Sequence, residues 1–176
     1  MTKIAIFASN NGSNFEAIIR YFRYLKNTKI KKHNLQFVLV TNNKYAYAIK
    51  RAKRLKIEYF VVEHENLNNF LAYNKFDLCV LAGYMKIIDK STLSHSKFVN
   101  IHPSILPDYK GKNAIKRIYK DKSYNSSGVS IHYVNKFVDA GEPIIQKKVT
   151  LNKNLSYVQH CVFFFHIEHN LDFYSM

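Results

Sequence analysis

Apolar positions in this chain fall into short runs separated by polar, turn-forming stretches, and the runs alternate between two periods. Residues 3–8 are a compact apolar run typical of a strand buried on both faces, 36–41 a second buried strand, 58–62 a third short strand and 76–82 the clearest central strand. Between them, residues 15–25 and 45–55 carry apolar side chains at helical spacing, and residues 65–75 do so more weakly because several Asn interrupt them. Residues 98–102 predict a further strand, stopped by Pro103, which has no N–H to give to a ladder. Residues 113–120 predict a helix. Residues 127–134 alternate as an antiparallel or edge strand does, and residues 143–149 pair with them as a hairpin-like return. Residues 155–174 close the chain as an aromatic-rich helix. Strands alternating with helices, then a β-rich return, indicate α/β architecture with a mainly parallel sheet and one antiparallel section near the C-terminus. No repeat, linker or low-complexity block appears, so residues 1–176 are read as a single domain.

Composition narrows the class. The 176 residues are 47% hydrophobic and 15% aromatic, which excludes wholesale disorder. No run approaches the about 18 apolar residues of a membrane span, and no signal-peptide pattern opens the chain. Cys79 and Cys161 lie in apolar surroundings without metal-ligand spacing, so buried thiols in a reducing cytoplasm are expected. The net charge of +15 raises nucleic-acid binding as a reading. The Lys residues are scattered, however, with local density only at residues 29–32 and 44–56, the latter as one face of a surface helix. The aromatics sit in predicted strands and the last helix, not on a basic platform. No nucleic-acid or membrane partner is therefore expected.

Three segments carry candidate chemistry. Asn100 and His102 stand two apart at the end of a strand and so leave by one face. An amide donor beside an imidazole suits acyl chemistry, although the pair by itself reads more readily as an ordinary strand end. The turn that follows is tight enough that the Leu106–Pro107 peptide is expected to be cis. The loop Asn11, Gly12, Ser13, Asn14 lies between the first strand and the first helix, where backbone amides and the helix dipole favour an anion. An ordinary βα turn fits those residues equally well. It contains neither a P-loop Gly-Lys-Ser/Thr nor a G-x-G-x-x-G. The segment Met85, Lys86, Ile87, Ile88 follows the clearest central strand with an apolar side suited to a flat ligand, or simply to the core. His132 is read as packing within its strand. Asp139, before Ala140 and Gly141, caps a turn or reaches a histidine.

Taken together, these segments resemble the phosphoribosylglycinamide formyltransferases, a branch of the folate-dependent formyltransferases, in order over nearly the whole chain. The Asn-x-His-x-Ser-x-Leu-Pro element beginning at Asn100, with Asp139-Ala140-Gly141 downstream, is the mark of the wider group. The Asn11–Asn14 loop singles out the glycinamide ribonucleotide branch. The resemblance implies a Rossmann-like open twisted sheet with helices on both faces, and catalysis by Asn100, His102 and Asp139. It implies that the carboxylate raises the imidazole pKa. It implies that the ribonucleotide contacts Asn11, Gly12, Ser13, Asn14 and Glu168. The co-substrate 10-formyltetrahydrofolate would meet Met85, Lys86, Ile87, Ile88, Asn100, Asn135, Lys136, Phe137, Val138 and Asp139. No metal is implied, and a monomer or homodimer would serve. A formyltransferase for another amine, such as an amino sugar nucleotide, and a non-catalytic basic relative are the alternatives. Asn10 stands where the family usually has Gly, Lys86 where it usually has Arg, and no Arg for the folate tail is found. The chain also ends at Met176, earlier than usual for the family.

Overall fold

The computed structural model describes residues 1–27 and 34–169, which form two compact units dividing between Val99 and Asn100. The basic stretch at residues 29–32 lies outside the described residues. In the first unit the order is β1 (Thr2–Phe7), α1 (Ser13–Asn27), β2 (Leu35–Thr41), α2 (Tyr47–Arg54), β3 (Glu58–Val61), α3 (Leu67–Tyr73), β4 (Leu78–Leu81) and α4 (Lys90–Leu93). Strand β5 (Lys97–His102) follows and runs into the second unit, which adds α5 (Ala114–Lys120), β6 (Ser126–Tyr133), β7 (Pro143–Thr150) and α6 (Tyr157–His169).

The first unit is built on parallel pairing. β1 pairs with β2 on one side and β4 on the other, and β2 pairs with β3. Ile4–Phe7 and Val38–Thr41 are buried without alternation, as continuous apolar runs in a two-sided parallel sheet should be. Helix α1 covers this sheet with Phe15, Ile18 and Ile19, all buried, while Phe22 meets Phe37 of β2 at 5.2 Å between ring centroids. Burying Phe15 and Ile19 contributes about 1.5–3 kcal/mol each. Helix α2 buries Ala48 and Ala52 and leaves Lys50, Lys53 and Arg54 outward, which makes the basic stretch a surface helix face as expected. The segment expected as one weak helix at 65–75 is a 3-10 turn, His64–Asn66, followed by α3. Asn74 ends that helix in extended backbone.

The second unit is antiparallel where the sequence indicated. β6 pairs with β7 from Ser126↔Thr150 to His132↔Pro143, with an irregularity between Ile131 and His132. β6 is not an edge, because it lies between β5 and β7. Its residues Ser127 to His132 are all buried, so the expected alternation of buried and exposed positions is absent there. β7 instead alternates half-buried and exposed positions. Helix α5 starts one residue later than expected, since Asn113 takes a left-handed φ of 59°. Helix α6 buries His160, Phe164 and Ile167 at i, i+4 and i+7. Tyr119 of α5 meets His160 edge-on at 5.3 Å. Residues 170–174 of the expected last helix lie outside the described residues. The whole is a mainly parallel α/β fold with an antiparallel section near the C-terminus. No helix among the described residues is long and apolar enough to cross a membrane.

Candidate active site

Strand β5 sends Asn100 and His102 off the same face, and Asp139 approaches from the loop between β6 and β7. Asp139 Oδ2 lies 3.2 Å from His102 Nδ1, and Asn100 Nδ2 donates to Asp139 Oδ1 at 3.1 Å. The backbone N–H of Gly111 donates to Asp139 Oδ2 at 2.7 Å. Asp139 reaches this position with a φ of 46°, a left-handed conformation that a short polar side chain tolerates better than most. Gly141 makes the return to β7 feasible: a Cβ there would stand 1.6 Å from the Tyr133 carbonyl oxygen.

A fourth side chain enters the cluster. His132, fully buried on β6, places Nε2 3.4 Å from Asp139 Oδ1 and 3.2 Å from Asn100 Nδ2. Its Nδ1 faces the Tyr133 carbonyl at 2.8 Å, so in the neutral ring the proton sits on Nδ1 and Nε2 accepts from Asn100. In the charged ring Nε2 donates to Asp139 instead. His132 packs within its strand as expected, and that packing also sets it against Asp139 and Asn100. The signal lay in its place, near the end of a strand that pairs ahead of Asp139, but cross-strand adjacency is not written in spacing along one strand. Sequence motifs also missed two backbone groups, the Gly111 amide and the Tyr109 carbonyl that faces His102 Nε2 at 3.1 Å.

Electrostatics separate the two partners. Burial holds the His102 imidazole below its ordinary pKa and outweighs the opposing pull of Asp139 and the Tyr109 carbonyl. His132 and Arg117 add to the lowering. Asp139 does pull the imidazole upward, as expected of a neighbouring carboxylate, but desolvation of a nearly enclosed ring exceeds that attraction and the net shift is downward. For Asp139, burial would raise the carboxyl, but the His132 contact, the Gly111 N–H and the charges of His102 and His132 bring it to about 2. The folded value lies below the unfolded 3.8, so this stabilisation is present above about pH 4 and is lost as pH falls toward 2. We expect the stability difference between the wild type and Asp139→Asn to shrink by about 2 kcal/mol between pH 5 and pH 2. Urea unfolding at the two pH values measures it, and a constant difference would contradict the assignment.

The loop after β5 is fastened from β6 and β7. Ser130 Oγ donates to the Ser104 carbonyl at 2.6 Å and accepts from the Leu106 N–H at 3.1 Å and from Gln146 Nε2 at 2.8 Å. The Leu106–Pro107 peptide is cis, as expected. In the following loop, Phe137 N–H donates to Asn135 Oδ1 at 2.9 Å, and Asn135 Nδ2 donates to the Ala140 carbonyl at 3.1 Å. This turn presents Phe137 and Val138, 62% and 48% exposed, with the Lys136 ammonium 4.9 Å over the Phe137 ring. Glu168 is half-buried on α6.

In the first unit, Gly12 (φ 69°) precedes α1, and its carbonyl accepts the first helical bond, from Glu16 N–H at 3.0 Å. The N-terminal pole of the helix therefore lies at Gly12, Ser13 and Asn14. A Cβ on Gly12 would come within 2.5 Å of the Ala48 Cβ, so only glycine lets this loop pass against α2. Arg51 of α2 steadies the loop, donating to both the backbone and side-chain oxygens of Asn11 while also pairing with Glu16. Glu16, nearly buried, is held below its usual pKa. Burial opposes this, but hydrogen bonds from Arg51 and Arg20 and the charges of Arg51 and Arg54 prevail. Ser9 ties the loop to the segment after β4, since the Met85 N–H donates to its Oγ at 2.9 Å. Met85 and Ile87 are exposed, as is Lys86, but Ile88 is buried, so its side chain belongs to the core. The Cys79 thiol is buried and pushed up to about 12 by desolvation, whereas Cys161 is only partly buried.

Residues 2–170 match the family described as formyl transferase. The chain is 32% identical over 169 residues to the phosphoribosylglycinamide formyltransferase of Bacillus subtilis (strain 168), covering 88% of this chain and 82% of that one. It is 34% identical over 164 residues to the enzyme of the same name from Haemophilus influenzae, covering 86% and 74%. The crystal structure of glycinamide ribonucleotide transformylase 1 from Geobacillus kaustophilus is similar with a TM-score of 0.84 at 30% identity, over 98% of this chain and 95% of that one.

Proposed function

The chain belongs to the formyl transferase family, and from that premise we propose that it transfers a formyl group from 10-formyltetrahydrofolate to the amine of 5′-phosphoribosylglycinamide, a step of de novo purine biosynthesis. The observation that carries this reading is the convergence of Asn100, His102 and Asp139, with both carboxylate oxygens of Asp139 engaged by the other two. The family match runs through both units, which supports one formyltransferase domain.

The folate supplies a formyl group already activated on N10, so the reaction calls for no metal. Asn100 turns an amide N–H to the formyl oxygen as negative charge develops there. Both of its amide hydrogens have acceptors in this structure, so one contact must be exchanged. The contact to His132 Nε2, at 3.2 Å, is the one it gives up. His102, held below its ordinary pKa, is uncharged at neutral pH. One ring nitrogen can then accept the proton of the attacking amine and return it to the leaving nitrogen. Asp139 fixes that ring through Nδ1, and Nε2 exchanges the Tyr109 carbonyl for substrate. We assign the ribonucleotide phosphate to Asn11, Gly12, Ser13 and Asn14, where backbone amides meet the pole of a fifteen-residue helix. Glu168 is assigned to the glycinamide end. The folate is assigned to Met85 and Ile87 and to Phe137 and Val138, whose apolar side chains are exposed. Lys86, Lys136, Asn135 and the Ile88 backbone complete that assignment. The catalytic cluster lies within one chain, so a monomer or a homodimer serves equally. Free thiols at Cys79 and Cys161 support a cytoplasmic location.

The deciding experiment is an assay with glycinamide ribonucleotide and 10-formyltetrahydrofolate, run in parallel with amino sugar nucleotides. Formylation of the ribonucleotide alone is expected, and preference for a sugar nucleotide would overturn the substrate assignment. In the same assay, Ser13→Ala combined with Asn14→Ala should raise the ribonucleotide KM about tenfold, the equivalent of one lost charge-assisted bond. The folate KM should stay constant; equal rises for both substrates would remove the phosphate from this loop.

A further inference from the structure

We propose that Arg117 is a positioning residue for formyl transfer, clamping the turn at residues 109–111 so that its backbone holds His102 and Asp139 in register. The proposal rests on the formyl-transfer reading and names a residue outside the side chains that touch substrate.

The turn carries two backbone groups on which the cluster depends. The Tyr109 carbonyl faces His102 Nε2 at 3.1 Å, and the Gly111 N–H donates to Asp139 Oδ2 at 2.7 Å. Its conformation is not one the chain adopts by default. Tyr109, Gly111 and Asn113 all have positive φ, at 52°, 81° and 59°, and a bulky aromatic in that region needs outside support.

Arg117 supplies that support from the second turn of α5. Its Nη2 donates to the Tyr109 carbonyl at 2.7 Å and to the Lys110 carbonyl, with the Gly111 carbonyl at 3.5 Å on the margin. The guanidinium also lies 5.7 Å from the centroid of the Tyr109 ring. Tyr109 in turn bonds Asp121 through its hydroxyl and meets Tyr124 edge-on at 5.0 Å. The Tyr109 carbonyl therefore accepts from Arg117 while it stands against His102 Nε2. Moving the guanidinium moves the atom that orients the imidazole, and with it the amide that holds the carboxylate. The planar guanidinium, held near the Tyr109 ring, keeps Nη2 fixed against these carbonyls, whereas a lysine ammonium on a flexible stem lacks that planar anchor.

The test compares wild type with Arg117→Met and Arg117→Lys. Steady-state formyl transfer and backbone amide exchange at Gly111 are measured, with Val129 of β6 as the internal reference. For Arg117→Met we expect kcat to fall about 10- to 100-fold, the loss typical of a catalytic group displaced by an ångström. Both KM values should be unchanged, because the side chain acts through the backbone of the turn and is not among the residues assigned to either substrate, and Arg117→Lys should fall between the other two. Exchange at Gly111 should accelerate about tenfold in Arg117→Met while Val129 keeps its rate. An unchanged kcat, a loss expressed in KM, Lys no better than Met, or an unaltered Gly111 rate would each overturn the proposal. A wild type without formyl transfer would instead overturn the reaction assignment, and the exchange rates would still decide whether the clamp exists.

Discussion

Replacing His102 with alanine lowers kcat for formyl transfer by about 10²–10⁴-fold, the range carried by a positioned acid–base group. The imidazole is nearly enclosed, with Asp139 on one nitrogen and the Tyr109 carbonyl on the other, so no bulk water can replace it directly. The loss belongs in kcat, since proton movement is needed only as the bond to the formyl carbon is exchanged. The fold should survive, because the ring's neighbours include polar groups that a small water-filled space can satisfy. Circular dichroism and single-turnover rates at saturating substrates measure the two parts. Wild-type turnover in this variant would remove His102 from the mechanism. The pH profile adds a second check. A ring kept uncharged by burial should leave activity flat through neutrality, with loss only as pH falls below the ordinary imidazole value.

Gly141→Ala is expected to damage both stability and catalysis although it adds a single methyl group. The new Cβ would meet the Tyr133 carbonyl oxygen at 1.6 Å, a contact with backbone that no rotamer relieves. Overpacking of this kind costs about 1–3 kcal/mol and is relieved only by moving the backbone. The backbone in question carries Asp139 two residues earlier and His132 next to Tyr133. A shift of about an ångström there should reduce kcat about 10²-fold. Chemical denaturation and the formyl-transfer assay together check this. A variant with wild-type stability and rate would mean that the return into β7 is not what places the carboxylate. Gly128→Ala serves as a comparison: its Cβ would stand 1.9 Å from the Lys147 carbonyl oxygen, within the β6–β7 pairing. It should lose comparable stability with a smaller loss of rate.

Much of the site was legible before any coordinates. The period of two along β5 put Asn100 and His102 on one face, and Pro103 ended the strand there, so their shared direction followed from backbone geometry. The approach of Asp139 to a histidine was one of two readings of its loop. The structure selects it and shows that the carboxylate also engages Asn100. The parallel strands were legible for a similar reason: residues 3–8 and 36–41 are apolar without alternation, which only a sheet covered on both faces rewards. β6 misled because Ser130 and His132, two apart, looked like an outward polar face. Ser130 is instead a buried junction for the Ser104 and Leu106 backbone, and His132 joins the cluster around Asp139. Ile88 misled in the opposite sense, an apolar residue in a ligand-facing segment whose side chain turns into the core.

By itself the sequence determined the order and type of most elements and the shared face of Asn100 and His102. Those follow from local periodicity, proline and glycine, which act within a few residues along the chain. The tertiary structure alone decided the protonation balance, because desolvation depends on what encloses a group from all sides. That enclosure outweighs the upward pull of Asp139 on His102, while the hydrogen bonds and charges gathered around Asp139 bring its carboxyl to about 2 despite burial. It also brought in His132, the Gly111 amide and the Tyr109 carbonyl, whose roles arise from neighbours distant in sequence.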